Sequence, residues 1–282
     1  MVGSQRDSSI NAVSRYGVSE FYERRRMTQL DCPVRINTLG RFSVSFDEQV
    51  LNSHAKARHQ RPLELLQALI ALGGRDVHAE LLSEALWPDS DGDKSQSAFD
   101  VTLHRLRQLI DLENVVIVRN RHVTLNDELV WVDVWEFERN IDQAERLLGR
   151  IGEPDVANEL VHIGDLIFFL YQGTFLQREA ARPWSLSLRE RLSSKLLRHV
   201  VESGHAWEST GQWDRAIRCY RKALEIDPLY ETLYACLMRA LYGAGHLSEA
   251  LATYQHCRAV LAEQFRVEPS PSTIKLYRSL TT

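Results

Sequence analysis

Cysteine is scarce, and the four that occur (Cys32, Cys219, Cys236 and Cys257) are scattered, with no CxxC pair. That excludes a disulfide framework and leaves buried free thiols of a reducing compartment. No window approaches 18 apolar residues, and the N-terminus lacks the apolar core of a secretory signal. A membrane span is therefore not expected, and a cytoplasmic location is. The phosphate-binding patterns GxxxxGK[ST] and GxGxxG are missing, as are HExxH and GxSxG. Cys/His spacings suited to zinc are missing too. Catalysis, a cofactor and a metal ion are therefore not expected. His162, His199, His205, His246 and His256 lie on or beside helical segments, where packing or surface roles outweigh ligation.

What is present is a globular composition, with 44% hydrophobic and 26% charged residues. The 282 residues suffice for two ordinary domains. The net charge of −4 argues mildly against nucleic acid. Residues 34–131 hold 11 Lys+Arg against 14 Asp+Glu, so this stretch is itself acidic. Attraction to phosphate acts over a Debye length of roughly 10 Å, so the placement of the basic groups matters more than their sum.

Residues 1–33 read as a polar, solvated arm with an Arg24-Arg25-Arg26 run. A short helix over 19–30 is the other reading. From Val34 the pattern alternates with period two through Val34, Ile36 and Thr38, breaks at Gly40, and resumes through Phe42, Val44 and Phe46. A further strand over 49–51 completes an antiparallel meander. Three helices follow. The first, over 61–72, carries Leu63, Leu66, Leu69 and Ile70 and stops at Gly73-Gly74. The second, over 79–86, turns Leu81, Leu82, Ala85 and Leu86 inward and ends at Trp87-Pro88. An acidic loop over 89–93 leads to the third, over 95–111. Two β-rich runs around Arg119-Asn120-Arg121 then form a hairpin. Sheet, three helices and hairpin are the layout of a winged helix-turn-helix with an extra N-terminal sheet. The domain boundary is expected at 131/132.

After Trp131-Val132-Asp133-Val134-Trp135 the chain is expected to be helical over 136–149, 155–171, 184–210, 213–226, 230–243, 247–264 and 271–280, with Pro154, Pro183, Pro228, Pro269 and Pro271 between helices. Trp207/Leu241, Gly211/Gly245, Ala216/Ala250, Tyr220/Tyr254 and Ala223/Cys257 are each 34 residues apart. That period, with small residues at helix crossings and an aromatic facing them, is the tetratricopeptide (TPR) signature. The fold class is thus mainly α: a winged helix-turn-helix followed by an all-α TPR-like domain over 132–282.

Wound at 100° per residue, the third helix places Phe99, Leu103, Leu106 and Ile110 on one side as a buried stripe. Opposite lie Val101, His104, Arg105 and Gln108, with Thr102 and Arg107 on the flanks. A recognition helix needs this division. Arg pairs with guanine and Gln with adenine, while Thr or Val meets the thymine methyl. A plain solvated face is the alternative for the whole set. Arg107 either contacts phosphate or braces the helix against neighbours such as Asp111. Arg119 and Arg121, with His122, suit a phosphate or a minor groove, or form an ordinary charged turn. His54, Lys56, Arg58, His59 and Arg61 make a third basic cluster. The carboxylates are expected to gather elsewhere, in the 89–93 loop and at Asp127-Glu128.

Leu86-Trp87-Pro88, then Ser97-Ala98-Phe99-Asp100-Val101 through His104-Arg105-Leu106-Arg107, resembles the OmpR-type winged helix. Tyr171-Gln172-Gly173, Pro183-Trp184 and Val267-Glu268-Pro269-Ser270-Pro271 resemble the bacterial transcriptional activation domain. The two together, over about residues 34–282, are similar to the SARP-type regulators. The resemblance implies binding to direct-repeat promoter sites, as a homodimer or as two molecules side by side. It also implies recruitment of RNA polymerase through its sigma and alpha subunits. It implies base or groove contacts from Thr102, His104 and Arg105, a backbone contact from Arg107 and wing contacts from Arg119 and Arg121. His104 stands where related helices commonly carry a basic residue, so no base preference follows. The acidity of 34–131 favours the alternative, a protein-interaction adaptor whose winged helix does not bind DNA.

Overall fold

The computed structural model describes residues 32–46, 49–51, 59–179 and 182–281. Nearly all of the expected N-terminal arm, and His54, Lys56 and Arg58 of the third basic cluster, lie outside the described residues. The chain divides into two compact units. Of the described residues, those within 32–38, 42–133 and 182–185 form one, and those within 39–41, 134–179 and 186–281 form the other.

In the first unit, β1 (Val34–Asn37), β2 (Ser43–Phe46) and β3 (Gln49–Leu51) form an antiparallel meander. A strand absent from the sequence reading, β7 (Val130–Val132), joins it parallel to β1, giving the order β3-β2-β1-β7. Asp133 locks this junction. Its carboxylate accepts hydrogen bonds from the Thr38 amide and hydroxyl, both at 2.6 Å, in a buried setting.

Helix α1 (Gln60–Ala71) buries Leu65, Leu66, Leu69 and Ile70, a wider face than expected. It ends where Gly73 and Gly74, both at positive φ, donate back to the Ile70 and Leu69 carbonyls. Helix α2 (Ala79–Leu86) buries Ala79, Leu82, Ser83 and Leu86. Leu81, expected inward, is instead exposed, because the buried stripe runs through 79, 82, 83 and 86 and position 81 falls about 150° from its centre.

Helix α3 (Gly92–Ile110) begins three residues earlier than expected. The acids read as loop belong to its start. Asp91 is the N-cap residue and its carbonyl accepts from the Ser95 amide at 2.9 Å, while Asp93 sits in the first turn, where the helix dipole favours negative charge. The second sheet, ordered β4-β6-β5, comprises β4 (Val77–His78), β6 (His122–Leu125) and β5 (Val116–Arg119), all antiparallel.

The second unit is helical: α4 (Asp133–Leu148), α5 (Pro154–Leu170), α6 (Pro183–Ser209), α7 (Trp213–Ile226), α8 (Glu231–Gly243), α9 (Leu247–Phe265) and α10 (Pro271–Thr281). These match the expected helices within a few residues. All five 34-residue pairs sit at equivalent places. Trp207 and Leu241, Ala216 and Ala250, Tyr220 and Tyr254, and Ala223 and Cys257 are all buried, and Gly211 and Gly245 follow their helices at positive φ. One packing device escaped the periodicity. Gly204 on α6 lies so close to the Tyr220 ring on α7 that a methyl there would overlap it.

Candidate nucleic-acid interface

The site is built on α3. Phe99, Leu103, Leu106 and Ile110 are all buried and hold one side of the helix in the first unit's core. Each such side chain contributes about 1.5–3 kcal/mol by leaving water. The opposite side presents Val101, His104, Arg105 and Gln108 to solvent. Among the described residues, His104, Arg105 and Gln108 make no hydrogen bond or ion pair, so their donors stand free. Val101 is 50% exposed.

Two flanking positions behave differently from expectation. Thr102 is only 6% exposed, and its hydroxyl donates to the Ala98 carbonyl at 2.7 Å. It belongs to the core edge, because position 102 lies next to the Leu103–Leu106 ridge and its hydroxyl has a partner in the preceding turn. Arg107 is a brace, but to a carbonyl rather than to Asp111. Its Nε and Nη2 donate to the Val116 carbonyl at 3.2 and 2.9 Å, tying α3 to β5. The early start of α3 adds Ser97 to the exposed stripe, one turn before Val101. Asp100 stands on the same side, accepting from Gln96 at 3.2 Å, and Lys94 pairs with Asp91 at 3.3 Å. The sequence alone starts the helix at 95, which leaves 97 in its first turn, so Ser97 does not register as part of the stripe.

The hairpin β5–β6 closes with a two-residue turn. Asn120 and Arg121 both have positive φ, at 49° and 63°, which is the type I′ geometry that matches strand twist. The Arg121 carbonyl accepts from the Ala79 amide at 2.8 Å, so the tip is tied to the start of α2. Arg119 and Arg121 are exposed and, among the described residues, make no ion pair. They line different hollows. Arg119 shares one of about 540 Å³ with Arg107 of α3 and with Asp111 and Glu113. Arg121 shares one of about 680 Å³ with Glu80, Glu84 and Asp93. His122 packs edge-on to His78, ring centroids 5.0 Å apart.

The domain's acidity is thus unevenly placed. Several carboxylates are engaged: Asp127 by Arg75, Glu64 by Arg61 and Arg182, and Asp133 by Thr38. Others gather around the α2–α3 turn. The middle and C-terminal turns of the outward face of α3 carry His104, Arg105 and Gln108, with Asp100 on the same side and the exposed C-cap Asp111 just beyond them. His59 and Arg61 lie just before and at the start of α1, where Arg61 bonds Glu64. Among the described residues, no group of three or more His, Cys, Asp or Glu is placed to hold a metal ion, and no helix is long and apolar enough to cross a membrane.

A winged helix-turn-helix unit, with a two-faced third helix and an arginine-bearing hairpin, is joined to a helical-repeat unit, an arrangement similar to that of the SARP-type bacterial transcriptional regulators. Residues 132–281, more than half of the chain, match the family model described as the bacterial transcriptional activator domain, and the chain belongs to that family. Regulatory protein AfsR of Streptomyces coelicolor is 26% identical over 229 residues, covering 77% of this chain and 21% of AfsR. AfsR of Streptomyces griseus is 25% identical over 223 residues, covering 77% and 22%. The chain therefore spans about a fifth of the length of these relatives. The solved structure of Mycobacterium tuberculosis EmbR in complex with a low affinity phosphopeptide is similar in fold, with a TM-score of 0.63 at 17% identity over 88% of this chain and 65% of that one.

Proposed function

We propose that the chain binds promoter DNA in a sequence-specific way and activates transcription. In this reading α3 enters the major groove. Arg105, His104 and Gln108 meet base edges, Val101 meets a thymine methyl, and Ser97 extends the contact one turn toward the N-terminus. Arg119 and Arg121 of the wing meet the phosphate backbone, Arg119 beside Arg107 of α3. Arg107 serves the interface by fixing α3 against the wing. The helical-repeat unit contacts RNA polymerase through its sigma and alpha subunits, and two molecules sit side by side on a direct repeat. Family membership supports that second half.

One observation carries the DNA reading: α3 buries one full stripe while leaving free donors on the other, and its brace Arg107 shares a hollow with the wing's Arg119. The test is a titration of labelled promoter duplex, chosen from genomic footprinting. Arg105→Ala is expected to weaken specific binding by roughly 1–3 kcal/mol. Unchanged affinity removes Arg105 from the interface. The acids around the start of α3 favour a second reading, a protein-interaction adaptor. Random duplex at low salt separates the two, since a DNA binder retains electrostatic affinity there and the adaptor shows none.

A further inference from the structure

Within the helical unit, a partly enclosed cavity of about 200 Å³ lies among the α5–α6 connection, α6, the end of α7 and the start of α8. Packed protein cores rarely leave a void larger than a water molecule. The walls are of two kinds. Leu196, Val200, Ala223 and Leu233 are buried and supply an aliphatic floor. Tyr171, Thr174, Gln177, Ser193, Asp227 and Tyr230 supply polar atoms. The Tyr171 and Ser193 hydroxyls lie 2.9 Å apart, and Tyr230 and Asp227 line the same cavity. Burial, with the nearby Asp227 charge, pushes both tyrosine hydroxyls above their usual range, so they stay neutral. Asp227 is the one charged residue among those lining the cavity, and no cation lines it to offset that charge. Its Oδ1 accepts from the Leu229 amide at 3.0 Å, which orients the carboxylate.

We propose that this cavity is a small-molecule site for a compact amphiphilic amine, one ring in size, with its apolar body on the aliphatic floor and its ammonium toward Asp227. The size follows from the volume. A cavity of about 150 Å³ accommodates benzene, and ordinary ligand sites run from about 300 Å³ upward. The charge follows from the lone carboxylate. Such a site would give the regulator a chemical input separate from its DNA-binding surface.

Calorimetric titration of the full chain tests this with two probes of equal size and opposite charge, phenethylamine and phenylacetate. Saturable binding of phenethylamine is expected, with phenylacetate weaker by roughly tenfold or more. Asp227→Asn keeps an acceptor for the Leu229 amide and removes only the charge. It is expected to erase most of the preference for the amine. Ala223→Leu fills the floor and is expected to abolish binding of both probes. If Ala223→Leu does not fold, the Asp227→Asn comparison stands alone. Absence of phenethylamine binding to the native chain overturns the proposal. So does phenethylamine binding that both variants leave unchanged, because it would then lie elsewhere on an acidic protein.

Discussion

Two glycines in the helical unit should respond in opposite directions to the same change. Gly164 in α5 and Gly204 in α6 are both inside helices, where replacing Gly by Ala gains about 0.5–1 kcal/mol from backbone entropy. At Gly164 an added methyl meets nothing within 4 Å, so Gly164→Ala is expected to stabilise by about that amount. At Gly204 the methyl would lie under 3.0 Å from the Tyr220 Cζ, hydroxyl oxygen and Cε1. Tyr220 has no room to withdraw: it is fully buried, and its hydroxyl donates to Glu208 at 2.7 Å. Overpacking of this kind costs about 1–3 kcal/mol, and losing a hydrogen bond to a charged group adds about 1.5–3 kcal/mol if the ring is displaced. With the ring displaced, and after subtracting the backbone gain, Gly204→Ala is expected to destabilise by about 1.5–5.5 kcal/mol. Urea unfolding followed by circular dichroism and by tryptophan fluorescence reads both variants, since Trp207 and Trp213 lie in the same unit. A Gly204→Ala protein as stable as the native chain would refute the close approach of α6 and α7 on which the repeat packing rests.

Further outcomes follow from the same geometry. Arg119→Ala should flatten the salt dependence of DNA binding by about one unit of slope, whereas Arg107→Ala should leave the slope unchanged and lower the melting temperature of the winged-helix unit by removing both donors to the Val116 carbonyl. Burial holds His199 down to about 4, against 6.5 for the free side chain. The unfolded chain therefore binds the extra proton first, and stability present above pH 6.5 should be lost progressively as the pH falls toward 4, by up to about 3 kcal/mol. His199→Gln should blunt that loss in urea titrations at stepped pH. Cys257 is buried and its thiol is pushed up to about 12, so it should react with Ellman's reagent at pH 8 only as fast as the unit opens.

Much of the site was legible because helical periodicity is a local property. The Phe99–Leu103–Leu106–Ile110 ridge implies its own opposite face, and Val101, His104, Arg105 and Gln108 occupy it. The flanks were ambiguous for a physical reason. A position at the edge of a buried stripe is decided by what packs beside it, and that partner comes from elsewhere in the chain. Thr102 found a carbonyl one turn back, and Arg107 found the Val116 carbonyl on a strand. The wing arginines looked equivalent in sequence, yet one shares its hollow with Arg107, Asp111 and Glu113 and the other with three acids and no second arginine. The cavity beside Asp227 left no trace in the pattern, since its walls come from four separate segments.

The strands show the same division. β1, β2 and the hairpin announced themselves through alternation and turn residues. β4 is two residues long, too short for any period to register, and β7 is recognisable only through its parallel pairing with β1, almost a hundred residues earlier. Periodicity, helix breakers and the 34-residue repeat were enough to settle the class of fold and the face that points outward, because each depends on neighbours along the chain. Pairing across long separations, the fate of flank residues and the empty space between helices depend on neighbours in space, and no short window of sequence contains them.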